Sequence, residues 1–484
     1  MLLVPCVGAI FSVVTSACDG TTSSTASEDL PDAGTIDSST ADGSVNIVEG
    51  GQADAPPGCD TAKDPKDSLP CVVDSFGVFV DGTSGVDTNP GTKEKPYKTI
   101  GAAIAGVGAK PRVYICAGSY PENLTVQSAT SLYGGFACGS WSYSGANTKV
   151  NPSTGVALTL TGVTGSVIED LEFDGSANPA VQGDSAIAVF ASRSTVRFVR
   201  AKLSAGDGIT GGTGTTVSNW TGTATMGTAA ANGGQAVMCT CTDATTSTGG
   251  KGGAIGAGGD PGVANPPVGT LNGGGGGNTC INGVAGANGA AASGGSGATK
   301  AGTLSAAGWT NASDATKGKS GNPAQGGGGG GGRTGVTGGG GGGCGGCGGG
   351  AGGPGGNGGS SFALLSFNSS VTTVGGLFVS GQAGSGGPGG PGQDGESGAP
   401  GGPGACDGAT GGAGAGGSGG GGGAGGVSAP VGFVGTGPTV SGTTLTPGTK
   451  GGPGGGGGAG AGSGNGGNAG NPGADGKAGT QVSL

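Results

Sequence analysis

Glycine occupies 130 of the 484 positions, and no other feature restricts the accessible folds so strongly. A glycine loses more backbone freedom on folding than any other residue and adds no side chain to a core. It is also a poor helix former, so long helices are excluded over most of the chain. With hydrophobic residues at 33%, an ordinary core cannot run the full length. Glycine-rich sequence that is ordered must therefore be held by backbone geometry.

The glycines carry a period. Gly386, Gly389, Gly392, Gly395, Gly398, Gly401 and Gly404 recur at every third residue, the phase returns between Gly408 and Gly426, and Gly464, Gly467, Gly470, Gly473, Gly476 and Gly479 repeat it. A strict three-residue spacing puts one residue per turn of a polyproline II helix at a crowded contact. Collagen shares that spacing, but here the triplet runs are short, proline is sparse and many intervening positions are again glycine, which argues against it. The segments resemble instead the glycine-rich bundles of snow-flea antifreeze proteins. That resemblance implies antiparallel polyproline II strands bonded backbone to backbone, and a run such as Gly386 to Cys406 would then extend roughly 65 Å. A disordered low-complexity loop is the alternative, and composition leaves both open.

Short apolar runs in triplets lie between the glycine segments. Val156 to Leu160, Ser166 to Ile168 and Leu171 to Gly175 form one set, and Ile187 to Phe190, Ser194 to Phe198 and Ala201 to Leu203 a second. Phe362 to Leu365, Ser369 to Val371 and Leu377 to Val379 form a third; Pro430 to Val434, Pro438 to Val440 and Thr444 to Leu445 form a weaker fourth. Self-similar units that cannot bury their apolar faces alone mark a solenoid, here a three-sided coil. In the last three sets the triplet runs straight into glycine, at Gly206, Gly381 and Gly448. Coils stacked about 4.8 Å apart put equivalent corners in a row, so the insertions are expected to leave side by side from one corner.

The stretch from Val78 to Val126 is different. Phe76, Val78 and Val80 alternate with Gly77 and Phe79, as in a half-buried strand. Turn residues crowd Asp81 to Gly91, Ile100 and Ile104 sit four apart as on a short helix lying over apolar surface, and Val113, Ile115, Leu124, Val126, Leu132 and Tyr133 fall in strand-like runs. The segments VDGTSGVDTNPG, PYKTIGAAI and VYICAGSYPENLTV resemble the opening of right-handed parallel β-helix proteins of the pectate-lyase-like group. The resemblance implies an all-β, right-handed parallel β-helix whose first coil is capped by the helix at Ile100. It implies no particular reaction, because one fold hosts many functions.

Met1 to Ala17 is an apolar run too short for a mature membrane span, ending in small residues before Cys18. Thr15-Ser16-Ala17-Cys18 resembles a bacterial lipobox, with Thr15 where Leu is usual and no Lys or Arg ahead of the run, which points to a start further upstream. Lipidation of Cys18 is expected, an ordinary secretory signal or an uncleaved anchor being the alternatives; acylation at two points would hold the chain to a membrane. Residues 19–74 are rich in Ser, Thr, Ala, Asp and Pro and are expected to form a disordered acidic tether. Of the twelve cysteines, Cys6 and Cys18 belong to that leader, and the even number left in an exported chain points to disulfides. Cys59 with Cys71 and Cys116 with Cys138 are the expected pairs. The connectivity of Cys239, Cys241, Cys280, Cys344, Cys347 and Cys406 stays open, and a four-thiolate zinc site from Cys239, Cys241, Cys344 and Cys347 is the lesser alternative to crosslinks.

A net charge of −10 without a basic patch argues against nucleic acid as a partner. The absence of histidine removes the commonest general base and metal ligand. Lyases of the resembled group use calcium held by aspartates and an arginine or lysine base, and the nearest residues here are Glu169, Asp170, Glu172 and Asp174 with Arg193, Arg197 or Arg200. Glu172 and Asp174 share one side of a strand opposite Leu171 and Phe173, and read more simply as a solvated charged face with cross-strand pairs. Asp81, Asp87 and Asn89 offer oxygen ligands for calcium, but turn residues of this kind more often bond their own backbone. Gly318-Lys319-Ser320 lacks the strand and upstream glycines of a phosphate loop. No catalytic residue, metal or cofactor is expected.

The chain thus divides into a lipoprotein signal (1–18), an acidic tether (19–74), the cap and first coils (75–221), a glycine-rich insertion (222–360), a coil (361–381), an insertion with a Gly-X-Y period (382–427), a coil (428–447) and a glycine-rich C-terminal segment (448–484). It resembles surface lipoproteins of myxobacterial type with glycine-rich, PGRS-like insertions. The resemblance implies a non-enzymatic protein at the cell surface or outer membrane, lipid-anchored or secreted, with a structural or adhesive role. Its expected partners are the membrane, through the anchor, and polysaccharide or other surface proteins. A carbohydrate-active β-helix, lyase or hydrolase, is one alternative; an ice- or polysaccharide-binding surface of polyproline II strands is another.

Overall fold

The computed structural model describes residues 54–484 apart from 218–223, 270, 450 and 463, so Cys18, the signal and most of the expected tether lie outside the described residues. Strand β1 (Gly77–Val80) is followed by the helix α1 (Ile100–Gly106), and β2 (Arg112–Cys116), β3 (Gly118–Tyr120) and β4 (Leu124–Val126) complete a three-sided coil. The next coils are β5 (Ser131–Phe136), β6 (Thr148–Val150) and β7 (Leu158–Thr161), then β8 (Thr164–Glu169), β9 (Glu172–Gly175) and β10 (Ala186–Ser192). β11 (Thr195–Val199) and β12 (Lys202–Ala205) begin another, which an insertion interrupts. That insertion carries β13 (Met238–Thr240), β14 (Thr246–Thr248), β15 (Val263–Asn265), β16 (Gly302–Ser305) and β17 (Gly308–Asn311). Beyond it come β18 (Ser361–Phe367), then β19 (Ser370–Val374), β20 (Leu377–Val379) and β21 (Ser428–Val434), and last β22 (Thr439–Ser441), β23 (Thr444–Thr446) and β24 (Gln481–Ser483).

These strands stack into three parallel sheets, β1-β2-β5-β8-β11-β19-β22, β4-β7-β10-β18-β21-β24 and β3-β6-β9-β12-β20-β23. The chain is a parallel β-helix, and its strand triplets fall where the apolar runs of the sequence lie. The register is kept from coil to coil apart from irregularities in the β2–β5 and β8–β11 pairs, and turns each inward position into a column. Val78, Val113, Leu132, Ile168 and Phe198 line one sheet. Leu158, Val189, Leu364 and Val431 line the second, and Tyr120, Val150, Phe173, Leu203 and Phe378 the third. All are buried, and together they form the core. Helix α1 closes one end: Ile100 and Ala103 are fully buried, and the Thr99 side chain accepts a hydrogen bond from the Ala102 N–H.

Two of the corners each turn through a left-handed residue that directly follows the strand. Gly162, Arg193, Asn368 and Gly435 occupy one row and Asp170, Arg200, Gly375 and Gly442 another, all with φ between 45° and 89°. Each row is itself stacked, since Arg193 N–H donates to Phe367 O, Asn368 N–H to Val434 O, Arg200 N–H to Val374 O and Gly375 N–H to Ser441 O. A left-handed conformation costs a residue with a Cβ roughly 1–2 kcal/mol, so the stacking bonds must hold Asp170, Arg193 and Arg200 there.

Two expectations need correction at the N-terminal end. β1 is buried on both faces rather than half-buried. Phe79, on its outer side, packs on Tyr114 (5.1 Å) and Trp141 (4.8 Å), and this aromatic layer is covered by the end of the segment expected to be disordered. The Tyr114 hydroxyl donates to Cys71 O (2.6 Å), and Cys59–Cys71 closes the cover. From about residue 56 onward the supposed tether is folded, because a crosslink and an aromatic column supply what its own composition lacks.

The glycine segments are not free loops. Gly387, Gly390, Gln393, Glu396, Ala399 and Gly402 donate to Gly356, Gly353, Gly350, Cys347, Cys344 and Gly341, an antiparallel pairing that advances three residues at a time. Gly349, Gly352, Gly355 and Gly358 donate to Ala415, Ser418, Gly421 and Ala424 in parallel, and the series runs on into the coil as Ser361 donates to Val427. The insertions leave together: Gly381 N–H donates to Ala205 O, and β12, β20 and β23, which precede Gly206, Gly381 and Gly448, are neighbours in one sheet. The expected domain limits shift accordingly. The coils stop at Ala205 rather than 221, the 222–360 insertion holds two small antiparallel sheets, and the 448–484 segment ends in β24, bonded to β21. Cys116–Cys138 pairs as expected, while Cys239–Cys344, Cys241–Cys347 and Cys280–Cys406 crosslink the glycine segments and use up the thiols of the zinc alternative.

Two glycine substitutions separate corner from contact. At Gly162 (φ +64°) an added Cβ meets nothing within 4 Å, so Gly162→Ala is expected to cost only the left-handed backbone term, about 1 kcal/mol. At Gly349 the Cβ would lie 1.8 Å from Gln393 O, and Gly349→Ala should cost at least about 3 kcal/mol or unfold the glycine segments. Urea unfolding of both variants measures the difference; equal costs would refute backbone contact as the reason for glycine.

Candidate functional site

Glu169, Asp170, Glu172, Asp174 and Arg200, singled out in the sequence, gather in two places on the outside of the coils. On the sheet that holds β6, β9 and β12, Lys149, Glu172 and Lys202 sit side by side in register. Lys202 Nζ is 2.8 Å and Lys149 Nζ 3.3 Å from Glu172 Oε1, and Lys149 also pairs with Asp174. The Asp174 hydrogen bond raises the Lys149 ammonium against the effect of burial. Burial works to raise the Glu172 carboxyl, but the hydrogen bonds from Lys202, Asn147 and Lys149 together with the Lys149 charge leave it lowered. Both acids are thus paired with lysines. Arg197, on the neighbouring sheet, pairs with neither.

Glu169, Asp170 and Arg200 meet at the second place. Arg200 Nε and Nη2 donate to the two Asp170 oxygens (2.9 and 2.8 Å), Nη1 reaches Asp64 Oδ2 (2.7 Å), and Nη2 also contacts Glu169. Three carboxylates thus share one guanidinium, and one of them, Asp64, comes from the N-terminal cover. Glu169 is 2% exposed because it continues the outer column of Phe79, Tyr114 and Tyr133, and its Oε2 has no hydrogen-bond partner among the described residues. Burial and the Asp64 charge push its carboxyl up to about 8 despite Arg200. The guanidinium is raised, its burial overcome by the hydrogen bonds it donates to Asp170 and Asp64 and by the neighbouring carboxylate charges. Burial likewise raises the phenol of Tyr143, beside Asp170. Arg193 stands exposed at its corner.

The turn residues bond locally. Asp81 Oδ1 accepts from the N–H groups of Thr83 and Ser84 and Oδ2 from the Ser84 hydroxyl; Asp87 accepts from the N–H groups of Lys98 and Thr99; Asn89 donates to Pro96 O. Asp81 also lies near Cys116 and Cys138, but those sulfurs are joined to each other and are not thiolate ligands. The cross-strand pairing of the charged face and the local backbone bonding of the turn acids agree with the sequence reading, which did not name the lysine partners. Lys149, Lys202 and Asp64 were missed, since each meets its partner only through the coil register or the fold of the cover. Among the described residues no helix is long and apolar enough to cross a membrane.

A family described as a protein of unknown function (DUF1565) matches residues 83–136, the cap and the start of the coils. No curated protein matches the chain. Among solved structures, a GH136 lacto-N-biosidase from Eubacterium ramulus shares 14% identity over 26% of this chain and 27% of its own, with a TM-score of 0.16. A rhamnogalacturonan lyase shares 16% over 28% of this chain and 39% of its own, with a TM-score of 0.15. The chain spans well under half the length of either, and at such scores neither activity transfers.

The proton on Glu169 makes a pH signature. An unfolded glutamate titrates near 4.5, the folded one near 8, so between these values the folded chain keeps a proton that the unfolded chain has released. The stabilisation is complete below about pH 4.5 and is lost as the pH rises toward 8. Glu169→Gln should remove that decline, so that urea midpoints at pH 5 and pH 8.5 converge relative to those of the parent. A decline of undiminished size in the variant would show that another group carries it.

Proposed function

We propose that this chain is a non-enzymatic scaffold of the cell surface, with a structural or adhesive role. A β-helix stem holds out an array of glycine segments, which in this reading are polyproline II strands, and Cys18 carries the lipid that anchors it. One observation carries the proposal: the three-residue bonding leaves every third residue facing outward in rows. Pro388, Pro391, Asp394, Ser397, Pro400 and Pro403 form one exposed row, and Pro453, Gly456 and Ala459 lie exposed on the strand bonded beside it. At about 3.1 Å per residue such a row repeats every 9 Å or so, a regular surface suited to an extended partner. A polysaccharide- or ice-binding role for that face is the second reading, supported by the same rows. Pairing of Glu172 and Asp174 with lysines supports a structural rather than a lyase role for the charged face.

Replacing Glu172, Asp174 and Arg197 together by Gln, Asn and Gln tests the choice. The parent chain should release no unsaturated uronide, read at 235 nm, from polygalacturonate or rhamnogalacturonan, while Cys18→Ala should move it from the membrane fraction to the medium. Uronide release by the parent that the triple substitution abolishes would establish the lyase reading instead.

A further inference from the structure

We infer that the outer face of the sheet holding β7, β10 and β18 carries a binding cleft for a neutral saccharide, walled by Trp309. The inference goes beyond the scaffold reading and does not depend on it. The β16–β17 hairpin, which places Leu304 opposite Trp309, folds back from the first glycine insertion onto Ile187, Phe190, Phe362 and Leu365. The Trp309 ring stands edge-on to Phe362 at 5.2 Å, its Nε1–H donates to Asn311 Oδ1 (3.0 Å), and Asn311 Nδ2 donates to Gly183 O (2.5 Å). The indole is thereby fixed between the hairpin, the sheet and the loop before β10.

Two clefts of about 470 and 350 Å³ flank it and share Val156, Ile187 and Trp309, sizes usual for small-molecule sites. Their polar groups are poised but unused. The hydroxyls of Thr159, Thr161 and Thr310 and the amide of Gln182 make no hydrogen bond among the described residues, and Asp184 engages only Oδ2, which accepts from the Asn178 N–H. An entirely apolar ligand would bury these groups without partners, at a cost. A peptide strand is disfavoured too, because β7 lies between β4 and β10, and β10 between β7 and β18, so no strand edge is open for main-chain pairing. No lysine or arginine lines either cleft and Asp184 is the one acid, which opposes uronates and other anions. A sugar ring meets all these conditions: its C–H face suits the electron-rich indole, and its hydroxyls suit threonine and glutamine.

The test uses the purified full chain and isothermal titration with dextran, xyloglucan and arabinogalactan as neutral probes and polygalacturonate as the anionic one. At least one neutral probe is expected to bind, with polygalacturonate at least about tenfold weaker, and Trp309→Ala to weaken binding about tenfold or more, equivalent to about 1.4 kcal/mol. Since Trp309 also holds the hairpin, the exposed pair Gln182→Ala and Thr161→Val serves as the second variant. It should lose severalfold in affinity with an unchanged thermal midpoint. Absence of binding to all three neutral probes, equal affinity of the Gln182/Thr161 variant and the parent, or preference for polygalacturonate would each overturn the assignment.

Discussion

The backbone hydrogen bond between segments remote in sequence is the interaction on which the rest depends. In the coils it joins β10 to β18 across the first insertion and β18 to β21 across the second. In the glycine segments the same N–H and C=O groups are used, with few side chains to widen the spacing. The junction is continuous, since bonds from Gly358 to Ala424 and from Ser361 to Val427 belong to one series although the first lies in glycine and the second starts a sheet. A buried peptide group without a partner is costly, so a chain this poor in apolar side chains is stable only where such pairing is nearly complete.

Side chains take over where pairing alone would not choose one register. Inward columns of Val, Ile, Leu and Phe fix the coils, because a slip by one residue would turn each of them outward. In the glycine segments that task falls to three disulfides spanning 105 to 126 residues, which shrink the unfolded ensemble most when the loop is long. On the outer face, lysines opposite Glu172 and Asp174 and the single guanidinium of Arg200 neutralise most of the acids that the stack brings close together.

The strand triplets, the capping helix and the two local disulfides were legible in the sequence because each is set by residues close in the chain: alternating apolar positions, Ile100 and Ile104, cysteines 12 and 22 residues apart. The folded cover was not legible. Asp64 finds Arg200, and Cys71 finds Tyr114, only after the coils have stacked, and local composition carries no trace of either contact. Trp309 is an isolated aromatic in a glycine-rich insertion, and nothing nearby in sequence announces Phe362, the ring it packs against. The burial of Glu169 could be read only once its strand was aligned with Tyr133.

The three-residue advance of the glycine bonds also sets how such a chain can change length. Each insertion departs from and returns to the same stack, so an added or deleted triplet leaves every donor opposite an acceptor and merely lengthens or shortens one strand of the array. A gain or loss of one or two residues would put each later position out of phase and drive backbone atoms together wherever a glycine no longer faced its neighbour. Variation in these insertions should therefore come in multiples of three, which would let the array grow outward while the stem stays the same.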